Sequence, residues 1–194
     1  REQTFIHPKL GVTFTAPAGF TIDNSANAVM ASGPGEVAIR FDGASLPSGS
    51  NLTDYIKSGW VTGLDESSIR PITINGMPAA TASASADRWQ FDIVVIGTNN
   101  KVYRFLTAAP KGSTALQPAS QTVTQSFRLL TPTEQEALKP LRIRVVTVKP
   151  GDTMGSLSAR MQGTTRKLEL FRLLNAMSAG ATVSVGDRVK IISE

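Results

Sequence analysis

The sequence predicts an α+β protein in which a mostly antiparallel sheet with flanking helices precedes a small domain of strand–helix–helix–strand order. Short segments of alternating apolar and polar residues follow one another through residues 1–130, with few helical stretches between them. The segment Leu130-Thr131-Pro132-Thr133 ends this pattern, and two helical runs between two apolar strands then occupy residues 142–194. We therefore expect a first domain over 1–130, a helical linker over 131–141 and a second domain over 142–194.

Period-two alternation and turn residues indicate the strands of the first domain. Val12 and Phe14 alternate with threonines, a pattern typical of a half-buried strand, and the turn at Pro8–Gly11 separates this strand from a preceding one. Gly33-Pro34-Gly35 and Thr98-Asn99-Asn100 each indicate a hairpin. The remaining predicted strands cover residues 28–32, 37–41, 68–74, 79–86, 89–97 and 102–109.

Two helices are predicted in the first domain. Apolar side chains in residues 51–60 fall close to one helical face, and Ser50 or Asn51 is the expected N-cap. Residues 114–126 form the second helical segment. Residues 79–86 carry Ala at every second position, so one face of that strand presents only methyl groups. We expect a helix to pack closely on this face, with residues 114–126 as the candidate.

The linker is predicted to contain one short helix. Thr133 is the expected N-cap of residues 133–139, with Glu136 at the capping-box position three residues later. Pro140 ends this helix and begins an extended segment.

The second domain is predicted to consist of two helices between two strands. Gly151-Asp152-Thr153 forms the turn from the first strand into the first helix, and the oxygen of Asp152 or Thr153 caps that helix. The second helix is expected over Lys167–Leu174 and ends at Asn175. A turn and closing strand follow over Val183–Ile191.

The composition limits the chemistry that the chain carries. It contains no Cys, which excludes disulfides and thiolate metal ligands. Its one histidine, His7, stands beside Pro8 without a catalytic motif, and Asp65, Glu66 and Asp87 show no sign of a paired acid and base. We therefore expect no catalytic residue, no metal ligand and no cofactor in this chain.

The net charge of +5 is concentrated toward the C-terminus. Residues 1–132 carry ten basic and nine acidic side chains, and residues 133–194 carry ten and six. Such an end suits an anionic lipid, nucleic acid or cell-wall polymer, or is simply a solvated charged face. No apolar run reaches the roughly 18 residues of a spanning helix. We expect neither a membrane span nor a nucleic-acid partner, and the start on Arg1 favours a piece of a longer protein.

The second domain resembles a LysM module. The resemblance is carried by Gly151-Asp152-Thr153, Leu174-Asn175 and the ending Gly186-Asp187-x-Val189-x-Ile191, in this order. It implies a βααβ fold that binds N-acetylglucosamine polymers such as peptidoglycan in a shallow groove between two loops. Backbone groups would bind the acetamido moiety there, and an apolar residue would pack under the sugar. The glycan-binding residues that the resemblance implies are Gly151, Asp152, Thr153, Met154, Ala176, Met177, Ser178, Ala179 and Gly180.

Two features of these loops leave a second interpretation open. Neither loop contains an aromatic residue, and Gly155 follows Met154 where helix-forming residues are more usual. The alternative is a protein-interaction or intramolecular regulatory module that has a LysM-like fold and no longer binds glycan.

Residues 4–130 resemble a PsbP-like domain. The resemblance rests on the stretch Phe5–Phe20, in which two strands flank a proline–lysine–leucine–glycine turn and a proline–alanine–glycine–phenylalanine step follows. It implies an accessory or scaffold domain without catalysis.

The order of these parts resembles the C-terminal, non-catalytic region of bacterial HtpX-like zinc metalloproteases. A PsbP-like region, the segment Thr131–Val146 and a LysM-like ending follow one another. The resemblance implies a periplasmic or cell-envelope location and a zinc ion on a His-Glu-x-x-His helix in a catalytic domain outside this chain. The implied role is to localise the protease through weak peptidoglycan binding, and the implied partners are that glycan, the protease domain and protein substrates.

Overall fold

The computed structural model describes residues 1–194 and divides into two compact units, Arg1–Thr131 and Pro132–Glu194. The strands of the first unit are β1 (Gln3–His7), β2 (Val12–Ala16), β3 (Thr21–Asn24), β4 (Val29–Gly33), β5 (Val37–Ser45), β6 (Leu64–Ile74), β7 (Met77–Ala86), β8 (Trp89–Gly97), β9 (Lys101–Pro110) and β10 (Arg128–Leu129). Its helices are α1 (Leu52–Lys57) and α2 (Leu116–Ser126). The second unit contains α3 (Pro132–Ala137), β11 (Arg142–Thr147), α4 (Met154–Ala159), α5 (Lys167–Leu174) and β12 (Arg188–Ser193).

The first unit is built on a seven-stranded sheet in the order β3-β4-β5-β9-β8-β7-β6, and every neighbouring pair is antiparallel. A smaller sheet, β1-β2-β10, and helix α2 pack over one face of it. Aromatic rings fill the space between them: Phe14 lies 5.1 Å from Phe41 and 5.3 Å from Phe105, centroid to centroid. The predicted α+β class with a mostly antiparallel sheet is confirmed.

The other face of the large sheet is covered by α1. Because side chains alternate along a strand, Ile93 and Val95 of β8 face α1, whereas Val94 and Ile96 face α2. The methyl face of β7 belongs to the α1 side, where its alanines pack against Ile56. The prediction that residues 114–126 cover this face is therefore wrong, because α2 lies on the opposite side of the sheet.

Helix α1 is shorter than the sequence predicts. Asn51 is its N-cap, and its side-chain oxygen accepts from the Asp54 amide at 2.8 Å. The helix stops at Lys57 because Gly59 takes a left-handed conformation at φ +93°, which places Trp60 outside it.

The second unit has a core of its own. Strands β11 and β12 pair antiparallel, with Val146 opposite Val189. Helices α4 and α5 pack against this pair. The fully buried side chains of the cluster are Val148, Leu157, Met161, Phe171, Val189 and Ile191.

The helix of the predicted linker begins one residue earlier than expected. It covers Pro132–Ala137, so Thr133 lies inside its first turn and the prediction of Thr133 as N-cap is wrong. Proline suits this position because its fixed φ is helical and the first turn has no partner for an N–H group. Across the whole chain, no helix is long and apolar enough to cross a membrane.

Candidate functional site

The first candidate loop joins β11 to α4. Gly151 lies at φ +91° and permits the turn. The Asp152 carboxylate accepts from the Lys149 amide at 2.8 Å, and the Asp152 amide donates to the Lys149 carbonyl at 3.0 Å. These two bonds tie the Asp152 side chain and amide back to Lys149 within the loop.

Thr153 caps α4, as one of the two predicted alternatives. Its hydroxyl accepts from the Ser156 amide at 3.0 Å, and the Ser156 hydroxyl accepts from the Thr153 amide at 2.8 Å. This reciprocal capping box satisfies two amides of the first helical turn. Consequently, the polar side chains of Asp152 and Thr153 hold the loop in shape.

The second candidate loop follows α5. Ala176 lies at φ +51°, and the Met177 amide donates to the Arg172 carbonyl at 2.9 Å, which closes the helix end. The Ala181 amide donates to the Ser178 carbonyl at 3.1 Å and forms the next turn. These bonds leave three consecutive amides, those of Ser178, Ala179 and Gly180, without a hydrogen bond inside the chain.

Arg172 adds a positive charge beneath this loop. Its Nη2 donates to the Ala179 carbonyl at 3.3 Å, while its Nε is buried and has no hydrogen-bond partner. A buried donor without a partner is costly in a folded protein. The donors that the second loop presents to solvent are therefore its backbone amides, with the Arg172 guanidinium close beside them.

The two loops are connected through the core of the second unit. Met154 and Met177 are both half-buried and pack against the same apolar cluster. Asp152 is also half-buried, whereas the other residues predicted for the glycan site are exposed. No hydrogen bond joins one loop to the other. The exposed residues are Gly151, Thr153, Ala176, Ser178, Ala179 and Gly180.

Asn175 has a role that the sequence did not reveal. Its Nδ2 donates to the carbonyls of Phe171 and Lys190, both at 2.9 Å, and its Oδ1 accepts from the Lys190 amide at 2.7 Å. The side chain thus pairs with the outer edge of β12 as a neighbouring strand would. Because Asn175 directly precedes Ala176, this clamp fixes where the second loop begins.

Two polar clusters lie in the first unit. The Arg104 guanidinium forms a bidentate pair with Asp42, at 2.6 and 2.7 Å, and also donates to Tyr55 Oη at 3.1 Å. It stacks 4.5 Å over the ring of Trp60, and the bond with Asp42 raises its pKa. On the other face of the sheet, burial raises the pKa of Asp92, which accepts from the Ser120 hydroxyl.

His7 lies at the end of β1. Its Nδ1 accepts from the Leu10 amide at 3.1 Å, so the imidazole closes the turn into β2 in its neutral form. Burial lowers its pKa, and the charge of Lys9 lowers it further. No group of three His, Cys, Asp or Glu side chains in the chain is arranged to hold a metal ion.

Comparison with known proteins identifies the fold of the chain. No family model and no curated protein matches the sequence. A cyanobacterial PsbP, CyanoP of Synechocystis, is similar in structure with a TM-score of 0.51 and 16% identity, over 66% of this chain and 92% of that one. A crystal structure from Bacteroides thetaiotaomicron has a TM-score of 0.54 and 13% identity, over 73% of this chain. This chain spans about half of the Bacteroides protein, 52% of its length.

These similarities bear on the fold alone, because both identities are low. The predicted PsbP-like fold, an α+β arrangement with mostly antiparallel sheets and few helices, is confirmed. The LysM-like ending and the protease parent stay predictions.

Proposed function

We propose that this chain is a non-catalytic accessory region of a cell-envelope zinc metalloprotease, and that its second unit localises the enzyme by weak binding to peptidoglycan or another N-acetylglucosamine polymer. The observation that carries the proposal is the group of three unpaired amides at Ser178, Ala179 and Gly180. They lie beside Met177, which shares one apolar cluster with Met154 of the first loop.

This arrangement matches the chemistry of an N-acetylated sugar. The acetamido carbonyl accepts hydrogen bonds from loop amides, and the acetyl methyl group and the apolar sugar face pack on the methionine side chains. Two or three such bonds at about 1 kcal/mol each, with a similar contribution from apolar contact, give a Kd of about 1 mM. Binding is weak because no aromatic ring is available to stack under the sugar.

A weak site suits attachment to a polymer. Repeating sugars present many equivalent ligands, and a chain tethered near the wall rebinds after each dissociation. The second unit also carries most of the net positive charge, +4 of the total of +5, which favours anionic wall components. The protease parent is supported only by the order of the parts, and its zinc would belong to a catalytic domain outside residues 1–194.

Co-sedimentation with purified peptidoglycan tests the glycan role. Gly180→Leu places a side chain where a Cβ meets no atom within 4 Å, so the fold tolerates it while the loop face is covered. Thr182→Leu is the matched control, because Thr182 is exposed and lies just beyond the loop. We expect wild type and Thr182→Leu to sediment with peptidoglycan and with chitin, but not with cellulose, which lacks the acetamido group. Equal sedimentation of Gly180→Leu would refute the assignment of this loop.

A second candidate function is protein binding by the outer face of β11. Ile143 and Val145 are 61% and 51% exposed there, which is unusual for strand residues of this type. In this case the partner is the protease domain of the parent or a protein substrate. The double variant Ile143→Ser, Val145→Ser should then no longer bind the protease domain, while its sedimentation with peptidoglycan stays unchanged. If the double variant still binds the protease domain as wild type does, this face of β11 is not the protein-binding surface.

A further inference from the structure

A polar cavity of about 360 Å³ lies in the first unit, beside α2 and far in sequence from the loops described above. Its wall includes Arg70 of β6, Ser83 of β7, Asp92 of β8 and Gln117 of α2. This volume lies within the range of small-molecule sites in proteins. The cavity does not depend on the proposed glycan function.

A bulge in β6, where its pairing with β7 shifts register, opens this cavity. Asp65 pairs with Ser83 and Arg70 pairs with Thr81, so the residues between Asp65 and Arg70 leave the ladder. The Ser83 amide donates instead to the Ser68 hydroxyl at 2.8 Å. Bulges of this kind often lie beside binding sites because they re-aim side chains and interrupt strand pairing.

Asp92 brings a buried negative charge to the cavity. Asp92 is only 7% exposed, and one of its carboxylate oxygens accepts a hydrogen bond from the Ser120 hydroxyl. The other oxygen has only a long contact of 3.5 Å with Gln117 Nε2. A carboxylate has about four acceptor positions. Most of them are unused here, although a buried charge requires compensation.

Arg70 is the positive counterpart, but it does not pair with Asp92. No ion pair or hydrogen bond involves its guanidinium, and its charge reaches Asp92 only at longer range. Arg70 lies opposite Thr81, which lies opposite Val94, so Arg70 and Asp92 share one face of the sheet. Two strand spacings and a shift of two residues put their Cα atoms about 12 Å apart. The two charged side chains therefore line the same cavity without contacting each other.

We propose that this cavity binds a small zwitterion, an α-amino acid or a short peptide, with its ammonium group on Asp92 and its carboxylate on Arg70. The ammonium group supplies donors to the unused oxygen of Asp92, and the guanidinium presents a fork that matches a carboxylate. The Ser83 hydroxyl and the Gln117 amide are placed to bind the polar groups between them.

Titration of the full chain with alanine and with dialanine, followed by amide chemical shifts, tests this proposal. We expect saturable shifts at Ser83, Asp92 and Gln117. N-acetylalanine lacks the ammonium group and alaninamide lacks the carboxylate, so each should bind at least tenfold more weakly. Arg70→Gln should abolish the preference for alanine over alaninamide. Asp92→Asn should abolish the preference for alanine over N-acetylalanine.

Arg70 is exposed, so Arg70→Gln should fold normally. This variant therefore still tests the proposal if Asp92→Asn impairs folding. The tryptophan fluorescence of the first unit checks folding of each variant, because Trp60 and Trp89 both belong to it. The absence of saturable shifts with either zwitterion would overturn the proposal. Equal binding of alanine, N-acetylalanine and alaninamide would also overturn it.

Discussion

The clamp formed by Asn175 gives the sharpest prediction for the second unit. Asn175→Ala removes three hydrogen bonds, two to the backbone of Lys190 and one to the Phe171 carbonyl. It leaves the main chain unchanged, so the loss falls on the contact between the end of α5 and the edge of β12.

The size of the effect follows from the geometry of these bonds. Their lengths of 2.7–2.9 Å lie in the normal range for good hydrogen bonds. Each contributes about 1 kcal/mol. Water replaces part of this loss because Lys190 is exposed. We therefore expect the second unit to lose about 2 kcal/mol of unfolding free energy, which corresponds to roughly a 30-fold larger unfolded fraction.

Amide hydrogen exchange measures this loss within the second unit. Exchange at Lys190, Val189 and Ile191 should accelerate by roughly 30-fold in Asn175→Ala. Ser178→Ala is the matched control, because the Ser178 hydroxyl makes no hydrogen bond, and its exchange should stay within about threefold of wild type. All Trp and Tyr residues lie in the first unit, so their fluorescence serves as an internal reference. Unchanged exchange at Lys190 would refute the clamp.

Three further predictions concern stability. Gly155→Ala should stabilise the second unit by up to about 1 kcal/mol, because alanine favours a helix and the added Cβ meets nothing closer than 3.6 Å inside α4. Amide exchange measures this gain. A destabilised variant would show that the site cannot accept a methyl group. Asp42→Asn should lower the free energy of unfolding of the first unit by about 3 kcal/mol, because Arg104 loses a nearly buried partner. Urea unfolding followed by tryptophan fluorescence measures this loss. A loss below about 1 kcal/mol would contradict the prediction. His7 has a pKa below its ordinary 6.5, so its contribution to stability is present above pH 6.5 and is lost as the pH falls through the lowered value. His7→Asn, which keeps an acceptor for the Leu10 amide, should reduce this pH dependence of the urea midpoint, and an identical dependence would count against the role of His7.

Local signals explain most of what the sequence predicts correctly. The strand over residues 89–97 and the caps at Asn51 and Thr153 depend on neighbours a few residues away, and the structure has them in place. Gly59 was a readable stop signal for α1, since glycine commonly follows a helix end. The apolar periodicity of residues 51–60 continues past this glycine, but the helix does not.

Features that depend on distant strand pairing were not predictable in the same way. Asp42 and Arg104 meet only because β5 and β9 are neighbours in a specific register. The methyl face of β7 is readable from the alternating alanines, but the helix that packs on it is not. The first unit has two helices, α1 and α2, one on each face of the large sheet. Which of them meets the alanines depends on the face of the sheet to which those side chains point, and the pairing of β7 within the whole sheet determines this. Asn175 likewise meets Lys190 only after β12 closes the second unit.

Residue-resolved titration with an N-acetylglucosamine tetramer tests the central claim most directly. If the second unit binds glycan through its two loops, amide shifts should concentrate at Gly151–Met154 and at Ser178, Ala179 and Gly180, and saturate with a Kd of about 1 mM. A glucose tetramer without acetamido groups should produce none of them. If the N-acetylglucosamine tetramer leaves both loops unshifted at concentrations well above that value, glycan binding by this unit is contradicted.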